Sequence, residues 1–145
     1  MSRWRAIWQR WFGDASPPHL RTGLWGEAQA ATHLRQNGYK VLGQRVRVGV
    51  RDEIDLIARQ GETLVFVEVK TRASEEWGRP VSAVNRKKRD RLARAAMRYM
   101  SRLRTKPPYF RFDVIEVIGQ EGLPPTDIRH LQNVFGLPKG YKVPW

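Results

Sequence analysis

Within Thr63–Thr71 the run Leu64-Val65-Phe66-Val67 continues into Glu68-Val69-Lys70. Strand side chains alternate between faces, so Glu68 and Lys70 share one face while Val65, Val67 and Val69 take the other. A carboxylate and an ammonium on such an apolar strand cost desolvation energy, and that cost asks for a reason. Asp55 lies in the preceding strand-like segment Glu53–Ala58, joined through Arg59-Gln60-Gly61-Glu62, whose length and glycine fit a hairpin turn. A two-residue Gln60-Gly61 loop sets Asp55 opposite Phe66 and diagonal to Glu68, on the same face. An odd shift of register sends Asp55 to the other side and removes the site. Converging carboxylates suit a hard divalent cation, Mg²⁺ or Mn²⁺, which takes oxygen ligands and keeps several waters. Such an ion polarises a phosphoryl oxygen and acidifies a bound water, while a nearby lysine steadies the developing charge. Asp55 and Glu68 as ligands with Lys70 beside the nucleophile would make a phosphodiester hydrolase. The competing reading is a cross-strand ion-pair cluster on an exposed face, common and of little energetic consequence.

Two helices must flank these strands. Leu24, Ala28, Ala31 and Leu34 recur at helical spacing over Leu24–Asn37, and Gly38 stands where a C-cap glycine belongs. Glu27 lies on or beside that apolar stripe, which offers a third acid to the sheet; the alternative is a first-turn acid favoured by the helix dipole. A second helix over Val84–Leu103 carries Leu92, Ala95, Ala96, Tyr99, Met100 and Leu103 on one stripe and ends at Pro107-Pro108. Lys88, four residues before Leu92, extends that stripe and could point at the strand carboxylates.

Residues 84–106 hold ten Lys/Arg and one Asp, and Arg91, Arg94, Arg98 and Arg102 follow one ridge at three- or four-residue steps. Like charges so spaced repel, which suits a phosphate track; a solvated face is the plainer reading. The candidate nucleic-acid contacts are Arg72, Arg86, Lys87, Arg91, Arg94 and Arg98.

A strand-like stretch from Tyr39 to about Val48 precedes the hairpin, and Phe110–Val117 follows the second helix as a strand, parallel to Thr63–Thr71 because a long crossover reaches it. Ile128–Phe135 adds an edge strand. The fold class is α/β: three antiparallel strands plus one parallel strand in a mixed sheet, flanked by helices. Asp113 is expected to pair with Arg111, and His19, His33 and His130 lack ligand spacing.

The chain has 145 residues, 27 Lys+Arg against 14 Asp+Glu, a net charge of +13 and no cysteine. Thiol redox chemistry and thiolate metal sites are excluded, and a polyanion is the expected partner. No apolar run in MSRWRAIWQRWFG suffices for a signal peptide or membrane span, so a cytoplasmic address without stable membrane insertion is expected. Three units are read: a basic, Trp-rich appendage at 1–22, a domain at 23–135 and a tail at 136–145. The appendage could meet a membrane surface, stack on bases, or pack back on the domain.

Asp55 followed by Glu68-Val69-Lys70, with Glu27 upstream, resembles the PD-(D/E)XK signature of restriction-endonuclease-like folds, a layout shared by archaeal Holliday-junction resolvases. More closely, GLWGEAQAATHLRQNGYKVL, EIDLIARQGETLVFVEVKTR, AVNRKKRDRLARAA and RFDVIEV resemble the YraN-like family of uncharacterised bacterial proteins, over roughly residues 23–135. The resemblance implies a metal-dependent nuclease fold with Asp55 and Glu68 as ligands, Lys70 as catalytic lysine, Glu27 as auxiliary acid and Lys88 as a helix-borne site residue. It does not establish a substrate; the convergent charges and the resemblance together give DNA, with branched or junction DNA in view, as the expected one, and a homodimer is a natural arrangement since resolvase-like relatives are often dimers. Asp52 departs from the glycine usual there, either altering the turn or adding a carboxylate; the Arg45–Arg51 stretch is longer than usual, and Ile54 replaces the proline. A nucleic-acid-binding or repair accessory protein that kept the fold without turnover is the alternative function.

Overall fold

The computed structural model describes residues 18–74 and 85–143. The Trp-rich start and the loop holding Gly78 and Pro80 fall outside those residues. Helix α1 spans Pro18–Gln36, and strands β1 Lys40–Val48, β2 Asp52–Gln60 and β3 Thr63–Arg72 follow; helix α2 Arg86–Ser101 then leads to β4 Tyr109–Ile118 and β5 Asp127–Phe135. The strands form one sheet in the order β1-β2-β3-β4-β5. Among the described strands the β3–β4 pair is parallel, and the other pairs run antiparallel. The expected mixed α/β sheet, its parallel strand and its added edge strand are thus all present.

Among the described residues, each face of the sheet carries one helix. Ala30, Ala31 and Leu34 of α1 pack with Leu56, Ala58, Val65, Val67, Ile115 and Val117. Leu92, Ala95, Ala96 and Met100 of α2 pack with Ile57, Phe66 and Phe112 on the opposite face. The period-two alternation along β2, β3 and β4 separates the two cores. No helix among the described residues is long and apolar enough to cross a membrane.

Three boundaries differ from the sequence reading. Within the described residues helix α1 extends back to Pro18, six residues before Leu24. The boundary drawn after residue 22 therefore falls inside α1. The β2–β3 turn is Gly61-Glu62, with Gln60 paired to Thr63 and Gly61 at φ +58, one residue beyond the expected loop. Helix α2 starts at Arg86, where Asn85 accepts a hydrogen bond from the Lys88 N–H at 3.0 Å.

Candidate active site

The β2–β3 ladder runs from Gln60↔Thr63 to Leu56↔Val67, which brings Asp55 beside Glu68. Beyond that point the Val69 N–H donates to Asp55 Oδ2 at 2.9 Å. A side-chain carboxylate thus takes the place of a ladder carbonyl where the two strands part. The alternation of β2 also breaks here: Ile54 and Ile57 both pack on the α2 side, while Leu56 packs on the α1 side. The break falls opposite Arg45, whose φ is +47.

Burial pushes the Asp55 carboxyl up to about 8, and the neighbouring Glu68 carboxylate adds to the rise against the Val69 N–H. The two carboxyl groups are within hydrogen-bonding reach of each other. Lys70 Nζ lies 3.4 Å from Glu68 Oε1, and both side chains are about one-fifth exposed. From the first turn of α2, Lys88 meets Lys70; that facing ammonium, with burial adding, pushes the Lys88 ammonium below its usual range. Four of the expected site residues, Asp55, Glu68, Lys70 and Lys88, therefore stand together.

Glu27 reaches the same place from α1. It is buried, and Arg45 Nε donates to its Oε2 at 2.6 Å. Burial raises the Glu27 carboxyl despite Arg45, and Glu53 and Glu68 contribute to the rise. Helix α1 comes close enough because residue 26 is glycine: a Cβ there would collide with Thr71 Oγ1 of β3. Among the described residues, no three carboxylate or imidazole groups form a ready-built cation cage.

The basic residues divide into two sets. Arg86, Lys87 and Arg91 form one exposed set on α2. Arg94, also exposed, donates to the buried Asp52 through two hydrogen bonds of 2.9 and 2.8 Å. Arg98 lies against Gly49, and the two arginines line a pocket with Val50, Arg51 and Asp52 at the β1–β2 turn. Of the two roles open to Asp52, the structure thus displays the turn. Arg72 Nε lies 3.3 Å from Glu116 Oε1.

Two groups escaped the sequence reading. Arg45 was legible only as one arginine of an alternating strand, and its tie to Glu27 spans 18 residues. Glu116 is 1% exposed within the apolar run Val114–Ile118 of β4, beside Lys70 in the β3–β4 register. A charge between Ile115 and Val117 is the signal that singled out Glu68, and it was available at Glu116 too. Asp113 pairs with Arg111 at 3.0 Å as expected, and it also meets His130 Nε2 at 2.7 Å.

Comparison with known proteins adds the family. The description "Uncharacterised protein family UPF0102" matches residues 26–117. A UPF0102 protein of Symbiobacterium thermophilum is 50% identical over 116 residues, 79% of this chain and 96% of the relative. Another, from Chlorobium phaeobacteroides, is 39% identical over 125 residues, 83% of this chain and 97% of the relative. The YraN-like resemblance is borne out at the level of family, since the matched segment contains Glu27, Asp55, Glu68, Lys70, Lys88 and most of the sheet. The chain belongs to the uncharacterised protein family UPF0102.

Proposed function

We propose that this protein is a metal-dependent phosphodiester hydrolase of the endonuclease type, acting on DNA and built on the PD-(D/E)XK pattern. The observation that carries the reading is the Asp55–Glu68 pair where β2 and β3 part, with Lys70 on its flank. Two carboxyl groups in hydrogen-bonding reach cannot both ionise cheaply in a half-buried site, and a divalent cation between them removes that conflict. The donor set therefore fits Mg²⁺ or Mn²⁺, with Asp55 and Glu68 as the residues that would hold it and water completing the shell. When bound, the ion supplies Lewis-acid polarisation of the scissile phosphoryl group and an acidified water.

The remaining work falls to the chain. Lys70 and Lys88 present two ammonium groups where negative charge builds on the phosphoryl oxygens. Glu27 and Arg45 hold one another and wall the site on the α1 side. Arg86, Lys87 and Arg91 supply the track for the backbone, and branched or junction DNA is the substrate class to try first. Sedimentation with and without DNA tests the homodimer that the resemblance implies.

One observation favours a second reading, a nucleic-acid-binding or repair accessory protein without turnover: Arg45 already occupies Glu27, the third acid. Calorimetric titration with Mn²⁺ separates the two. The hydrolase binds Mn²⁺, and Glu68→Gln weakens that binding at least about tenfold. Equal affinity in wild type and Glu68→Gln contradicts the metal-site reading.

A further inference from the structure

Glu116 sits on β4 between Lys70 of β3 and Arg129 of β5 in the sheet register. Ile115 and Val117 face α1, so the alternation turns Glu116 to the α2 face, with Phe112. On β3, Glu68, Lys70 and Arg72 occupy that face at successive alternate positions. Glu116 therefore forms the floor under the basic end of the proposed site. Its side chain is 1% exposed; Oε1 lies 3.3 Å from Arg72 Nε, and Oε2 is buried with no hydrogen-bond partner among the described residues.

A buried carboxylate oxygen without a donor is an anomaly, since buried polar atoms are almost always satisfied. The groups nearest to it along the sheet are the cations Lys70, Arg72 and Arg129. An acid beneath two same-face cations, Lys70 and Arg72, offsets their mutual repulsion and fixes the guanidinium of the outer one. Arginine binds carboxylate and phosphate through the same planar fork, so the hold at Glu116 sets the plane in which Arg72 meets a phosphodiester.

We propose that Glu116 is a positioning residue that orients Arg72 towards a backbone phosphate of bound nucleic acid. Its unpaired Oε2 is the second acceptor on which the Arg72 guanidinium closes when that phosphate binds. The proposal rests on the nucleic-acid reading above and requires no turnover.

Binding of a labelled four-way-junction DNA to the full chain, in EDTA and over a salt series, tests it. Removing a negative charge near a polyanion site should by Coulomb attraction alone tighten binding. The positioning role predicts the opposite sign: Glu116→Gln, melting as a folded protein, binds about tenfold more weakly, with a salt slope shallower by about one. Arg72→Ala loses a similar amount, and Glu116→Gln adds nothing further in that background. Arg72→Lys keeps the charge but not the fork, and it should bind as weakly as Arg72→Ala even if Glu116→Gln fails to fold. Wild-type binding with Glu116→Gln equal or tighter, additive losses in the double variant, or Arg72→Lys binding as tightly as wild type each overturn the proposal while leaving the site reading intact. No binding by wild type overturns both.

Discussion

Asp55 answers two opposing demands. Its carboxylate caps the Val69 N–H where the β2–β3 ladder ends, yet it stands against Glu68 in a setting that pushes its proton affinity up to about 8. Asparagine keeps an acceptor for Val69 and removes the cost of holding a proton that the unfolded chain would release. Asp55→Asn should therefore stabilise the cation-free protein at pH 7 by about 1–2 kcal/mol in thermal melting while abolishing Mn²⁺ binding. A melting temperature below wild type would assign Asp55 a structural task instead. Much of this centre was legible residue by residue, because charges in an apolar strand announce themselves and a hairpin error of one position at the turn shifts the partner by two, which keeps the face. The break in alternation at Asp55 was not legible, since it lies opposite Arg45 at positive φ and neither departure follows from the local pattern.

The elements hold these residues through a few close contacts. Gly26 lets α1 settle on Thr71 and delivers Glu27 to Arg45. Gly26→Ala is expected to cost about 1–3 kcal/mol in denaturant unfolding, and Thr71→Ala in the same chain should recover part of it. An unchanged midpoint would show that α1 can shift at no cost. At the far side of the sheet, Asp113 joins β4 to β5, accepting from Asn133 N at 2.9 Å and from Arg111, with His130 at 2.7 Å. Burial raises its carboxyl, but the bonds from His130, Arg111 and Asn133 outweigh burial and leave it below 3.8. The folded state thus binds this proton less readily than the unfolded chain; the stabilisation is full above about pH 4 and fades as the pH falls through the lowered value. Asp113→Asn should cost about 3–5 kcal/mol at neutral pH and flatten the acid limb of stability against pH. An acid limb as steep as that of wild type would contradict this. Helix and strand order followed from periodicity, whereas pairs such as Asp52–Arg94, 42 residues apart, leave no local trace.

The whole molecule carries a net charge of +13, and the basic α2 lies on the face where Glu68, Lys70 and Lys88 meet. The excess charge was plain in the composition, but its division was not. Arg94, though exposed like Arg86, Lys87 and Arg91, is tied to Asp52 at the β1–β2 turn, a distinction that only tertiary structure makes. The arrangement sets an electrostatic track beside a carboxylate pair, and the account stands on the two acting together on one substrate. Its most direct test is cleavage of labelled single-stranded, duplex, flap and four-way-junction DNA with Mg²⁺ or Mn²⁺, comparing wild type with Asp55→Ala and Lys70→Ala purified identically. The account predicts metal-dependent cleavage by wild type, loss of at least about a hundredfold in both variants, and retained DNA binding. Cleavage that survives in both variants, or wild-type protein that binds DNA and Mn²⁺ without cutting any of the four substrates, would contradict it.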